Sequence, residues 1–488
     1  MQRSFPRLSA LSLLLAGTAA CGARTIGLSA EDFEPAPDGG GPVDSSALDS
    51  TRPDLGVEET SFDGFIPDSG AFDSSAIDTH LGDTGLLDTG GFDSGAFDSG
   101  SIDTGIVDGG PPDVLGFPAD HPAAPRAVSE GGRVLSTPRL VPIVFAGDPW
   151  AGQLATFVST MASPTAASWW TAAGSEYGVG LPTSAPLITV AETPPTAIDN
   201  DAIATWLSGK LDGTHPEFGA ADPTAIYTIF YPETTSITLM GSASCTDFGG
   251  YHNQATLASG TSVAFAVLPR CSGFVPGATD FEGVTAATSH EWIEAATDPF
   301  IFTKAAFDLP DGDHLAWRIF PGTEVGDMCS DQQTSFYMSS IGYELQRIWS
   351  NSAAAASHDP CVPASGAVYF NSAPVLTDDV TIDFGEGKGP EATKGAKIAI
   401  GASKTIEVDL FSDAPTSGAW TVQAFDIGAL LGGTPSLSFS WDRTSGKNGD
   451  KLHLTIRVTG DGFGGGSEFA IRSTLGTTRH YWYGLVAR

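Results

Sequence analysis

Ser289-His290-Glu291-Trp292-Ile293-Glu294-Ala295-Ala296-Thr297-Asp298-Pro299 is the stretch on which the fold turns. Side chains three or four apart share one face of a helix, so His290 and Glu294 would point the same way. They could hold one metal ion, with Glu291 beside it as a base. Pro299 disfavours helix at the residue before it, so the helix is expected to stop near Asp298. A second stretch, Gly322-Thr323-Glu324-Val325-Gly326-Asp327-Met328-Cys329, offers further carboxylates.

A helix with this motif needs a core around it. Leu140 to Ala146 reads as a buried strand, as do Leu187–Ala191, Ala225–Tyr231 and Ser262–Leu268. Leu154, Phe157, Val158 and Met161 recur at helical spacing. Trp169 and Trp170 fall in a second short helix after Pro164, and Ala202 to Leu211 in a third. Alternating strands and helices predict an α/β domain over residues 118–365.

Residues 366–488 read differently. Thr405–Phe411, Ser436–Trp441 and Leu452–Val458 alternate apolar and polar side chains, with turns such as Lys447-Asn448-Gly449-Asp450 between strands. Short alternating strands predict a β-sandwich. Gly462–Gly466 reads as a turn between strands, not a phosphate loop. Tyr481, Trp482 and Tyr483 would offer a stacking surface if exposed, or one face to the core if alternating.

Upstream, Arg3 and Arg7 precede a short apolar run, Leu8–Ala16, and the small residues Thr18-Ala19-Ala20. This is the form of an export signal over residues 1–20. Cys21 follows at once, as in bacterial lipoproteins, where that cysteine receives the lipid. The expected place is the outer membrane or cell surface, reached through a lipid anchor, or otherwise the medium.

Residues 21–117 form an Asp/Gly/Ser-rich linker. Aspartate recurs every fifth residue from Asp63 to Asp113, as in Gly95-Ala96-Phe97-Asp98-Ser99. Residues 22–117 carry 20 acidic and 2 basic side chains, a net of −18 within a chain total of −35. Such density repels itself and buries too little apolar surface to fold, so the segment is read as a disordered, extended spacer. A stacked solenoid and a calcium-binding array are the alternatives. The acidity argues against nucleic acid, whose phosphates need clustered Lys and Arg.

Besides Cys21, the cysteines are Cys245, Cys271, Cys329 and Cys361. An even count in an exported chain implies disulfides. Cys245 with Cys271 and Cys329 with Cys361 is the favoured pairing, since near neighbours lose less entropy on closure. The second bridge would tie down the loop bearing Glu324 and Asp327.

Metal hydrolases often carry two histidines four apart, with a glutamate after the first. Here Glu294 stands where the second histidine would be, and carboxylate oxygen also ligates zinc. A third ligand must come from elsewhere: Glu324 first, Asp327 second, Asp298 third. A site of one His and two carboxylates suits Zn²⁺ and also admits Mn²⁺ or Ca²⁺.

Several stretches, in order, resemble the EXORDIUM, or phosphate-induced, protein family. They are Asp148-Pro149-Trp150; Pro164 to Trp170, ending in two tryptophans; Cys245 ahead of Gly250-Tyr251-His252; the His290–Pro299 helix; Thr323–Cys329; then Trp349 and Cys361. The likeness spans about residues 138–362. It implies His290, Glu291, Glu294, Glu324 and Asp327 as the site, with His252 a further candidate. The family often has Asn at the position of Asp298, which points to a capping or supporting role there. Gly249 stands where plant members have a second cysteine.

The expected protein is a multi-domain chain with a zincin-like α/β domain. Its expected function is a metal-dependent hydrolase, most simply a peptidase, acting on a peptide or a cell-surface polymer. The alternative is a non-catalytic surface protein that binds a glycan or a protein through its sandwich.

Overall fold

The computed structural model describes residues 116–318, 320–384 and 389–488. The export signal, Cys21 and the aspartate repeats lie outside the described residues. What is described is built mostly of β-sheet and contains two architectures.

The first is a mixed sheet with helices. Its strands are β1 (Arg139–Phe145), β2 (Thr183–Ser184), β3 (Ile188–Val190), β4 (Ala225–Phe230), β5 (Tyr251–Thr256) and β6 (Ser262–Leu268). The order is β2-β1-β4-β6-β5, with β3 also on β1. All pairs are parallel except β5, which runs antiparallel to β6. β4 and β6 are apolar along nearly their whole length because both of their faces are covered. Helix α1 (Ala151–Met161) buries Leu154, Phe157, Val158 and Met161, the four residues at helical spacing. Helix α2 (Ala167–Gly174) buries Trp169 and Trp170. Helix α3 is Asn200–Lys210, and the motif lies on α4, Asp280–Thr297.

Thr279 and Glu282 form a reciprocal capping box that starts α4. Asp298 ends it with φ −140° and ψ 68°, outside helical geometry. Every residue from Gly283 to Thr297 is buried. One side of α4 is apolar: Trp292 stacks on Phe157 at 5.2 Å, and its indole N–H donates to Thr228 at 2.7 Å. The other side carries the motif's acids and imidazole.

The second architecture is two facing antiparallel sheets with one parallel pairing. Phe370–Pro374, Ser403–Ser412, Lys451–Val458 and Leu437–Trp441 make a four-stranded sheet in that order. Asp378–Ile382, Glu391–Lys397, Thr478–Ala487, Gly466–Leu475, Trp420–Asp426 and Ser445–Gly446 make the other. Leu452, Leu454, Ile456 and Val458 alternate inward to meet Val422, Ile471 and Val486.

The six-stranded sheet is buried on its outer face too. Tyr481, Trp482 and Tyr483 are 8%, 4% and 2% exposed, so they form no stacking surface. They join the core of the first part, with Trp317 edge-on to Tyr483 at 4.8 Å. A shared apolar core therefore crosses residue 366.

Both disulfides are present: Cys245–Cys271 and Cys329–Cys361. The second spans 32 residues. Closing a loop of that length in the unfolded chain is worth about 3.5 kcal/mol. A Cys329→Ala/Cys361→Ala variant should lose about that much by denaturant unfolding. A loss under about 1 kcal/mol would show that native packing alone holds this loop.

Candidate metal centre

Four segments converge on the polar side of α4. The helix supplies His290, Glu291 and Glu294. Strand β5, at the sheet edge, supplies His252. The loop before the short helix α5 (Asp327–Ser330) supplies Glu324, and α5 itself Asp327. Strand β7 (Glu344–Gln346), against α4, supplies Gln346. Trp349 N–H bonds Val325 O at 2.8 Å, and the Cys329–Cys361 bridge follows, so the loop is pinned at both levels.

Each imidazole has one nitrogen tied and one free. His290 Nδ1 lies 2.9 Å from Gln346 Oε1, while Gln346 Nε2 donates to Gly326 O at 2.7 Å. That second bond orients the amide, so Nδ1–H donates and Nε2 is the nitrogen left to face an ion. His252 Nε2 faces the carbonyl oxygen of Asp298 at 3.2 Å, which leaves Nδ1 free. The free nitrogens both face Glu294 Oε2, at 2.9 Å from His290 and 3.8 Å from His252. Around them, Glu291 Oε2 is 3.5 Å from His252 Nδ1, and Asp327 Oδ1 is 3.6 Å from His290 Nε2. Glu324 Oε1 lies 3.5 Å from the other nitrogen of His252. Two triads each gather ligand atoms within 4.8 Å: His252, Glu294 and Glu324; and His290, Glu291 and Glu294.

Nine of these polar atoms make no well-aligned hydrogen bond, although His290 Nε2 and Glu294 Oε2 pair as ions at 2.9 Å. The nine are His252 Nδ1, His290 Nε2, Glu294 Oε2, Asp298 Oδ2, Asp327 Oδ1 and both oxygens of Glu291 and Glu324. Leaving one buried polar group unpaired costs about 1–3 kcal/mol, and more for a charge. Their mutual spacing is instructive. Four donors about 2.1 Å from a tetrahedral ion stand about 3.4 Å apart. Most separations here sit near that value and beyond hydrogen-bond length. The residues therefore fit a divalent cation, with Glu294 common to both triads.

The electrostatics agree. Burial lowers the pKa of His290, but the charges of Glu294 and Glu291 outweigh it and raise it to about 10. His252 is also raised: burial opposes, and Glu291 and Glu294 prevail. Burial and then the Glu294 charge push Glu324 and Asp327 well above the usual carboxylate range. Glu294 is held low, because His290 overcomes the effect of burial. Four carboxylates facing two imidazoles leave excess negative charge in a dry site, which a cation would balance.

Backbone detail supports the arrangement. Glu294 Oε1 accepts the N–H groups of Gly326 and Asp327 at 3.1 and 3.0 Å. A Cβ at Gly326 would stand 2.7 Å from both Glu294 Oε1 and His290 Nδ1, so only glycine fits. A Cβ at Gly250 would stand 3.0 Å from Glu291 Oε1.

Asp298 directs its backbone carbonyl at His252, while its Oδ1 accepts the N–H of Ala306 at 2.9 Å. Gln346 was missed at the level of sequence. It lies more than fifty residues from His290 with no motif around it, and only the pairing of its strand against α4 reveals it. Replacing Gln346 with leucine should weaken ion binding by about 10–100-fold, as loss of an outer partner to a ligating histidine does. Isothermal titration with Zn²⁺ reads this, and an unchanged affinity would remove Gln346 from the centre.

The centre is closed. His290, Glu291 and Glu294 are fully buried, His252 and Glu324 are 1% exposed, and Asp327 is 7% exposed.

No protein family profile matches the chain, and no curated protein does. Among solved structures, it is similar to domains 4 and 5 of the S-layer protein SbsC, with 13% identity and TM-score 0.15, over 31% of this chain and 89% of that one. It is also similar to the titin M3 domain, with 15% identity and TM-score 0.14, over 19% of this chain and 85% of that one. Overlap this slight carries no argument about function. The two disulfides are those of a protein matured in an oxidising, extracytoplasmic compartment. No described helix is long and apolar enough to cross a membrane.

Proposed function

We propose that this chain is an exported metal-dependent hydrolase, most simply a peptidase, with an EXORDIUM-like and zincin-like catalytic part over residues 118–365. A lipid on Cys21 and the acidic spacer would display it from the membrane. The observation that carries this reading is the set of unpartnered donor atoms meeting around Glu294 from distant parts of the chain.

His290 Nε2, His252 Nδ1 and Glu294 Oε2 would hold the ion, with Glu324 and Asp327 completing its surroundings. His252 thus supplies the second imidazole that the helix motif lacks. Zn²⁺ suits this donor set, and Mn²⁺ or Ca²⁺ is compatible with its carboxylates. When bound, such an ion polarises a carbonyl and lowers the pKa of water. Glu291 is the proton acceptor, since both of its oxygens are free and both imidazoles are within 4.0 Å. It would take a proton from the attacking water and deliver it to the leaving amine.

Glu291→Gln should retain the ion and lower peptide hydrolysis by about 10²–10⁴-fold. Full hydrolysis in that variant ends the mechanism.

One observation favours a second reading. Structural metal sites are closed, whereas catalytic ones keep an open position, and this centre is closed. In that reading the ion staples α4 to the Glu324 loop, and the protein binds a partner instead. Stoichiometric ion with no turnover across a broad peptide library would decide for it.

A further inference from the structure

A second site lies at the other end of α4. A cleft of about 240 Å³ is lined by Pro149, Trp150, Glu233, Arg270, Ser272 and Asp280. Five of the six follow three adjacent parallel strands, β1, β4 and β6, just past their carboxyl ends. Open α/β sheets bind ligands at that edge, where loops diverge from a rigid frame. Asp280 begins α4, ten residues before His290, so the cleft stands about 15 Å along the helix from the metal centre.

The wall is built in advance. Arg270 is nine-tenths buried and pairs with Asp148, whose Oδ1 also accepts the N–H of Trp150 at 2.8 Å. The guanidinium lies over the Trp150 ring at 4.2 Å, and the edge contact with Phe281 at 5.4 Å fixes the ring further. Cys271, next in the chain, is bridged to Cys245. Arg270 Nε is buried without a partner, which leaves one donor unspent beside the cleft. On the rim, Glu233, Ser272 and Asp280 are exposed, and Ser272 Oγ donates to Asp280 at 3.0 Å.

An apolar indole wall ringed by hydrogen-bonding groups matches a pyranose, whose C–H face is apolar and whose hydroxyls radiate outward. Asp148 already balances Arg270, so Glu233 and Asp280 leave the cleft negative. Carboxylated, sulfated or phosphorylated ligands are therefore disfavoured. We propose that this cleft binds an uncharged or amino-bearing sugar unit of a polysaccharide. The proposal does not depend on the metal centre or on hydrolysis.

Calorimetric titration of the full chain with cellotetraose, a glucosamine tetramer, a galacturonate tetramer and a lysine-rich peptide tests it. Binding to either of the first two is expected, with at least about tenfold loss in Trp150→Ala and Glu233→Ala. Glu233 is exposed, so its variant should fold normally. Chelation should leave the sugar affinity unchanged. The proposal is overturned by no binding to either sugar, by equal or better binding of galacturonate, or by binding of the peptide alone. It is equally overturned if sugar binding survives both substitutions.

Discussion

Replacing Glu294 with alanine is expected to abolish divalent-ion binding and to destabilise the fold by about 3–5 kcal/mol. Two physical effects combine. Glu294 Oε2 is the oxygen that both free imidazole nitrogens face, so its loss breaks both triads. Its other oxygen accepts two backbone N–H groups, of Gly326 and Asp327, which alanine would leave buried and unpaired. Glu294→Gln separates the two effects. Its amide oxygen can still accept those N–H groups, so much of the stability should remain, yet the charged ligand is gone. Metal content by atomic emission, together with thermal melts of both variants, measures this. An alanine variant that keeps a full complement of ion would remove the proposed centre.

Chelation should destabilise the native protein, and more strongly as pH rises. An ion held at about a thousand times its dissociation constant adds about 4 kcal/mol to stability. For a folded body of this size, that corresponds to a fall of several degrees in Tm, at roughly 2 °C per kcal/mol. The pH trend follows from the carboxylates. Glu291, Glu324 and Asp327 are raised, chiefly by burial. A group raised in the folded state favours folding below its unfolded pKa, and that contribution is lost as pH climbs through the folded value. The chelated protein should therefore weaken as pH climbs above the ordinary carboxylate range, near pH 4. His290, raised from 6.5 to about 10, adds to this loss above about pH 6.5 and has given up its contribution by about pH 10. The ion needs the acids deprotonated, so its stabilisation grows over the same range. Paired melts at pH 5 and pH 8, with and without chelator, should show a wider gap at pH 8. A gap that narrows would contradict the assignment of these acids.

Where neighbours in sequence decide the structure, much was legible. The buried residues of α1 follow directly from 3.6-residue periodicity, and β6 from an unbroken apolar run bounded by turns. The His290–Glu294 relation is a property of one helix turn. Cysteine spacing pointed to the disulfides because short loops close at low entropic cost.

What was not legible depends on how elements pack. Tyr481 to Tyr483 alternate along a strand, which suggests one wet face. The sheet instead lies between the sandwich core and Trp317, so both faces are dry. Gln346 has no local signal because its role exists only where its strand lies on α4. His252 could be singled out by its Gly-Tyr-His context, but its free Nδ1 depends on where the helix ends and aims the carbonyl of Asp298.

The chain alone determined its periodic elements, its charge division, its cysteine inventory and a helix bearing an imidazole and two carboxylates on neighbouring positions. Only the tertiary structure decided which distant groups complete that set, which nitrogen of each imidazole is left bare, and how deeply the centre lies. Local patterns encode backbone conformation through short-range sterics and hydrogen bonds. A buried cluster of polar side chains is set by contacts between segments tens of residues apart, and nothing in the spacing of residues along one segment specifies them.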